Sequence, residues 1–258
     1  MVPRCLTIAG SDSGGGAGIQ ADLKAFATAG CYGMSAIVAL TAQNTTGVAA
    51  VHEAPPDFVR AELEAVFDDI GVDAAKTGML FSRRLIEVVA DFLAGHRVPL
   101  VVDPVMVASS GARLLREDAV EPLVARLFPL ATVVTPNLSE AEALAGTAGS
   151  RGELAERIHE RGAPAVIVTG GHGDEAVDHF FDGERHVEIA VERYDVAATH
   201  GAGCTHSATL AAGLAKGLTL EEAAREAARV ASAAVRFGLA KLGAGDGPVD
   251  VLHLEGAA

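Results

Sequence analysis

The chain has 258 residues, half of them hydrophobic, with a formal net charge of -14 and three cysteines, Cys5, Cys31 and Cys204, at spacings that form no disulfide framework. That is enough apolar material for one large core, so a single α/β domain over 1–258 is expected. A strongly acidic chain without a Lys/Arg cluster is a poor partner for nucleic acid or an anionic membrane, and no signal-type or bilayer-length apolar segment occurs, so a cytoplasmic protein is expected.

From the N-terminus, Cys5 to Ser11 reads as a short apolar strand that runs into the glycine-rich segment Gly10 to Gly18. Ala17 to Ala29 follows with helical spacing through Ile19, Leu23 and Phe26, and Gly30 ends it. Further strands are predicted at Met34 to Ala42, Ala74 to Gly78, Pro99 to Asp103, Ala131 to Thr135 and Ala165 to Thr169. Helices are predicted at Asp57 to Asp69, Arg83 to Ala94, Glu117 to Phe128 and Glu153 to Arg161. Apolar strands alternating with amphipathic helices predict a mostly parallel sheet covered on both faces, with ligands gathered at the strand carboxyl ends. Gly47 to Ala54 and Ala176 to Val191 break the alternation; the second carries an Asp182-Gly183 hairpin turn, and both suit small antiparallel edge strands or a partial lid. The last third reads as two alanine-rich helices, about Gly203 to Lys216 and Glu221 to Leu239, the second begun by Thr219 in a capping box with Glu222.

Thr199-His200-Gly201-Ala202-Gly203-Cys204-Thr205 lies just ahead of the first of these helices. Free amides and the positive end of a helix dipole make an anion site, and a cysteine placed there is expected to ionise more readily than a free thiol. The same residues also suit a tight turn into a buried helix. In the first glycine segment, Gly16-Ala17-Gly18-Ile19-Gln20-Ala21 fits a loose dinucleotide pattern, but the second strand ends in Gln43-Asn44, where a ribose-binding acid is needed. A dehydrogenase is therefore disfavoured, and neither a Walker-type phosphate loop nor a nucleophile elbow is present. Gln43 suits the edge of a neutral heterocycle, whereas Asn44 is read as capping the turn at Thr45-Thr46-Gly47. Asp103 and Glu140 each follow a strand; singly they also suit a helix cap or a surface charge, and together they point to Mg²⁺. Gly170-Gly171-His172 gives a third close approach of main chain. His172, His200 and His206 match no zinc spacing with Cys204 and are read as structural or supporting.

Ala9-Gly10-Ser11-Asp12, Gly15-Gly16-Ala17-Gly18, Ile19 to Lys24, Ala42-Gln43-Asn44-Thr45, Lys76 to Leu80, Asp103 to Met106, Thr135-Pro136-Asn137 and His200 to Thr205 occur in order over nearly the whole chain. Together they resemble the hydroxymethylpyrimidine/phosphomethylpyrimidine kinases of thiamine biosynthesis, of the ribokinase-like superfamily. The resemblance implies a three-layer α/β/α fold and ATP- and Mg²⁺-dependent phosphorylation of 4-amino-5-hydroxymethyl-2-methylpyrimidine, then of its monophosphate. It implies that Gln43 and Asp22 hydrogen-bond the aminopyrimidine, with Gly10 and Met79 lining the pocket. Asp103 and Glu140 would organise Mg²⁺ and the ATP phosphates, with Asn137, Thr169 and Thr199 as further nucleotide positions. Gly201, Ala202 and Gly203 would form the anion hole, with Cys204 as base toward the substrate hydroxyl. A homodimer is expected on the same grounds. A pyridoxine/pyridoxal kinase is the nearest alternative, and a non-catalytic pyrimidine-binding regulatory protein is another. The chain departs from the family at Ser109 and Thr169, where many members carry phosphate-facing lysines, and at Ala202, where threonine is common. Because phosphoryl transfer passes through a loose transition state, flattening the Gly201-Ala202-Gly203 turn, for instance by Gly203→Ala, is expected to cost at least as much as Cys204→Ala.

Overall fold

A computed structural model describes residues 1–108, 110–171 and 176–254. Nine strands form one sheet in the order β3-β2-β1-β4-β5-β6-β7-β8-β9. They are β1 (Arg4–Asp12), β2 (Tyr32–Asn44), β3 (Gly47–Glu53), β4 (Ala74–Thr77), β5 (Leu100–Val102), β6 (Val133–Val134), β7 (Val166–Val168), β8 (Val177–Phe181) and β9 (His186–Ala190). The pairs from β2 through β7 are parallel, while β3, β8 and β9 add antiparallel edges, as the two segments that break the alternation predict.

The strand period of two decides the layering. Leu100, Val102, Val134, Val166 and Val168 point into one apolar cluster, and Val101, Val133, Ala165 and Ile167 point into another on the opposite face. The first cluster is closed by α2 (Pro56–Ala65), α3 (Arg83–Ala94), α4 (Val120–Leu127), α5 (Leu138–Ala145) and α6 (Arg151–Glu160). The second is closed by α1 (Gly18–Thr28), α7 (Ala202–Ala215) and α8 (Leu220–Arg236). Ala208, Ala211, Ala212, Ala223, Ala224 and Ala227 are all buried there, so short side chains let α7 and α8 pack closely against each other and the sheet.

Several element ends differ from expectation for local reasons. The helix expected over Asp57 to Asp69 ends at Ala65 and widens into a π turn at Val66–Ile70. The segment Glu117 to Phe128 splits into a 3₁₀ turn and α4, and α8 stops at Arg236, three residues short of Leu239. The periodicity misses α5, although its signal is local: Asn137 and Glu140 form a reciprocal capping box and Gly146 closes the helix in the left-handed region. The Thr219 box with Glu222 is present as expected. Among the described residues no helix is long and apolar enough to cross a membrane.

Candidate active site

β1 lies between β2 and β4, so the connections leaving it wind to opposite sides of the sheet. That switch point opens a crevice at the strand carboxyl ends, and α7 aims its N-terminus into it. The resulting cavity has a volume of about 350 Å³ and is lined by, among others, Gly10, Gln43, Met79, Asp103, Glu140 and Cys204.

The cavity wall includes a buried charge, that of Lys76. Lys76 is fully buried, with Nζ 2.9 and 3.0 Å from the two oxygens of Asp22 and 3.6 Å from Asp103 Oδ2. Burial opposes the ammonium, but the carboxylates of Asp22 and Asp103 outweigh it and hold Lys76 charged. Asp22 also accepts from Thr7 Oγ1 at 2.6 Å. Its carboxylate thus meets Lys76 and Thr7, and Asp22 is not among the residues that line the cavity. A lysine in the otherwise apolar strand Ala74-Ala75-Lys76-Thr77 was the sequence signal for such a pair, since a buried cation demands an anion.

Gln43 meets the cavity at the end of β2, with its amide between Thr41 Oγ1 at 3.0 Å and His200 Nε2 at 3.5 Å. Asn44 caps the next turn, accepting from Thr46 N and Gly47 N. Gly10 and Met79 face each other closely: a Cβ on Gly10 would lie 2.4 Å from Met79 Cε. Asp103 and Glu140 are nearly buried and both open onto the cavity. Burial, and then the charge of Asp103, push Glu140 up to about 8, even though its oxygens accept from Asn137 N and Met106 N. Among the described residues no third His, Cys, Asp or Glu joins them as a metal ligand. Two carboxylates without a protein cage suit a hydrated Mg²⁺ that arrives with phosphates. Ser207 Oγ, 2.8 Å from Asp103 Oδ2, fixes that carboxylate to α7.

The two glycine turns lock together. Asp12 accepts from Gly14 N, Gly16 N and Ala17 N, and its Oδ2 lies 2.9 Å from His200 Nε2. Burial works against its charge, but the His200 contact and the main-chain N–H groups outweigh it, and Asp12 sits below the usual carboxylate range. Gly201, the N-cap of α7, has φ 86°, and a Cβ there would lie 1.9 Å from Gly16 O. Gly203 differs: nothing lies within 4 Å of its Cβ position, so the intolerance expected of Gly203 belongs to Gly201.

Cys204 stands in the first turn of α7 and lines the cavity beside Ala202 and Gly203. Its thiol does not ionise readily. Burial pushes it up to about 12, the Lys76 ammonium and the Gly18 N–H pull it down, and the charges of Asp22 and Asp103 push it up further. Desolvation next to two carboxylates thus outweighs the pull of the Lys76 ammonium and the Gly18 N–H, contrary to the ready ionisation expected from the sequence. Asn137, Thr169 and Thr199 all line the cavity, with Thr199 held by Asp246 through its N and Oγ1 at 3.0 and 2.9 Å. Ser109 and His172 lie outside the described residues.

The phosphomethylpyrimidine kinase family profile matches residues 12–250. The chain is 50% identical over 261 residues to a hydroxymethylpyrimidine/phosphomethylpyrimidine kinase of Rhizobium meliloti, covering 98% of each. It is 50% identical over 252 residues to a thiamine biosynthesis bifunctional protein of Geobacter sulfurreducens, covering 95% of this chain and 51% of that longer one. Among solved structures, an ADP complex of Bacillus subtilis pyridoxal kinase superimposes with a TM-score of 0.90 at 40% identity, covering 99% of both chains.

Proposed function

The chain belongs to the phosphomethylpyrimidine kinase family, and from that premise we propose how its cavity works. It is an ATP-dependent kinase of thiamine biosynthesis, phosphorylating 4-amino-5-hydroxymethyl-2-methylpyrimidine to the monophosphate and the monophosphate to the diphosphate. The observation that carries the site assignment is the convergence of Gln43, the Asp103–Glu140 carboxylates and the first turn of α7 on one cavity. We take 1–258 as one kinase unit, a reading supported by a match that covers 98% of the chain.

Gln43 meets the edge of the pyrimidine with one donor and one acceptor, and Met79, packed over Gly10, supplies the apolar wall. Asp103 and Glu140 would hold Mg²⁺, which would supply charge neutralisation at the triphosphate. The main-chain N–H groups at Gly203 and Cys204 face the migrating phosphoryl oxygens, while that of Ala202 donates to Thr199 O and shapes the turn. Asn137, Thr169 and Thr199 line the nucleotide side. In the transfer, the substrate hydroxyl oxygen bonds to the γ-phosphorus, the bond to the ADP oxygen breaks, and the hydroxyl proton passes to the Cys204 thiolate. For Cys204 to accept that proton the thiol must first lose its own. The charge of Asp103 helps keep the thiol protonated, so neutralising that carboxylate favours ionisation of the sulfur. Alignment by the α7 turn carries more of the rate than early proton removal, as a loose transition state requires.

Mg²⁺-dependent ADP release with the hydroxymethylpyrimidine, its monophosphate and pyridoxal compared side by side tests this assignment. The fit to the pyridoxal kinase favours pyridoxal as the second reading, and a higher kcat/KM for pyridoxal would put it first. A homodimer belongs to the same proposal, its contact being the β2–β3 ribbon beside exposed Leu40 and Phe58; a monomeric sedimentation coefficient at micromolar concentration would remove it.

A further inference from the structure

The charges around the cavity are unevenly matched. Among the described residues its wall carries several carboxylates but only two Lys or Arg side chains, Lys76 and Arg193. A chain of net charge -14 that takes up a nucleotide triphosphate must place positive charge locally. Lys76 is fully buried against Asp22 and Asp103, so its charge is already balanced. The histidines in the wall are each tied to an acid, His200 to Asp12 and His206 to Asp178. Arg193 is exposed, and an arginine is cationic without any titration event.

The fold brings Arg193 to the nucleotide side of the cavity. Val177, at the start of β8, pairs with Ala190 at the end of β9, and its carbonyl oxygen would lie 2.2 Å from a Cβ on Gly170. The carboxyl ends of β7 and β9 are therefore neighbours, and the segment leaving β9 emerges beside Thr169 and Gly171, which line the same cavity. Val191 N donates to Ala176 O at 2.9 Å as the segment departs. It is then tied to α8 on both sides of Arg193: Ser232 Oγ donates to Glu192 O at 2.6 Å, and the Arg236 guanidinium carbon lies 5.6 Å from the centre of the Tyr194 ring. Main chain held in this way presents the arginine from a set position. A planar guanidinium offers a fork of N–H donors that matches the oxygens of a phosphate.

We propose that Arg193 binds the polyphosphate of the nucleotide and supplies the positive charge that the rest of the cavity wall does not. This rests on the kinase assignment above and adds to it a residue of this chain.

The test measures the Kd of ATP and of adenosine by calorimetry, and the KM for ATP, in wild type, Arg193→Gln and Arg193→Lys. Because Arg193 is exposed, both variants should keep the melting temperature of wild type. Loss of the charge-assisted fork in Arg193→Gln should raise the Kd and KM for ATP about tenfold while adenosine binding stays within about twofold. Arg193→Lys keeps the charge and loses the fork, so its ATP Kd should fall between the two. At about 1 M ionic strength, where the screening length is about 3 Å, the gap between wild type and Arg193→Gln should narrow, which a purely structural role would not produce. Should Arg193→Gln fold poorly, Arg193→Lys must show a smaller loss of the same selectivity. An unchanged ATP Kd in Arg193→Gln would overturn the proposal, as would equal weakening of ATP and adenosine, which would place the arginine on the nucleoside or in a structural role. Wild-type protein that binds no ATP would overturn the kinase assignment and this inference together, so the two failures are distinguishable.

Discussion

Replacing Gly201 by alanine tests the geometry of the α7 turn directly. At φ 86° a side chain costs about 1 to 2 kcal/mol before any contact is considered. The contact is the larger problem: the new Cβ would lie 1.9 Å from Gly16 O, and that oxygen belongs to main chain that cannot swing aside. The two turns must separate by roughly an ångström, and the first amides of α7 move with them. A misplacement of that size costs about 100-fold in turnover where positioning dominates. Coupled ADP release at saturating ATP, Mg²⁺ and pyrimidine should therefore fall about 100-fold, with the melting temperature lowered by several degrees. Gly203→Ala is the control for stability, because open space surrounds its Cβ position and its melting temperature should match wild type. A Gly201→Ala enzyme that keeps more than a tenth of normal turnover, or that loses less than Cys204→Ala, refutes the claim that alignment outweighs the thiol.

Other expectations concern single contacts. Gly10→Ala should push Met79 Cε into the cavity and raise the KM for the pyrimidine with little loss of stability; Met79→Ala in the same chain should relieve it, and a KM unaffected by either change would contradict the packing. Removing one partner of the fully buried Lys76–Asp22 pair, as in Lys76→Met, should cost about 3 to 5 kcal/mol in urea unfolding, and the double change with Asp22→Asn should cost less than either alone. Because the Cys204 thiol is pushed up to about 12, alkylation by iodoacetamide should be slow at pH 7 and climb about tenfold per pH unit up to pH 9 without a plateau; Cys5 and Cys31 are too buried to contribute. Fast labelling at pH 7 would show that the thiol is already ionised.

The layering and most strand positions are legible because they depend on local periodicity, and the hairpin at Asp182-Gly183 because turn chemistry is local too. Element ends are less so, as at Ala65, where α2 widens into a π turn that the apolar spacing does not signal. Within the site, Gln43, Met79, Asp103 and Glu140 can be placed from their strand or helix ends. The state of Cys204 cannot, since it depends on Lys76, Asp22 and Asp103, three residues distant in sequence that meet only in the folded chain. The pairing of Asp22 is hidden for the same reason: its partner, Lys76, is 54 residues away. The pairing of His206 with Asp178 has no sequence signal, because 28 residues and a change of element separate them.

The lock between Asp12 and His200 joins positions 188 apart. One wall of the pocket therefore does not exist until the polypeptide has been made almost to its end. A ribosome-tethered precursor lacking its last third can pair its early strands and still offer no binding place for either reactant. Contacts of such long range slow the final folding step, since most of the loop-closure entropy must be lost before they form. A nick within the last 60 residues would release the far side of the pocket and leave the early half of the sheet intact, so catalytic competence should vanish well before the secondary-structure signal does.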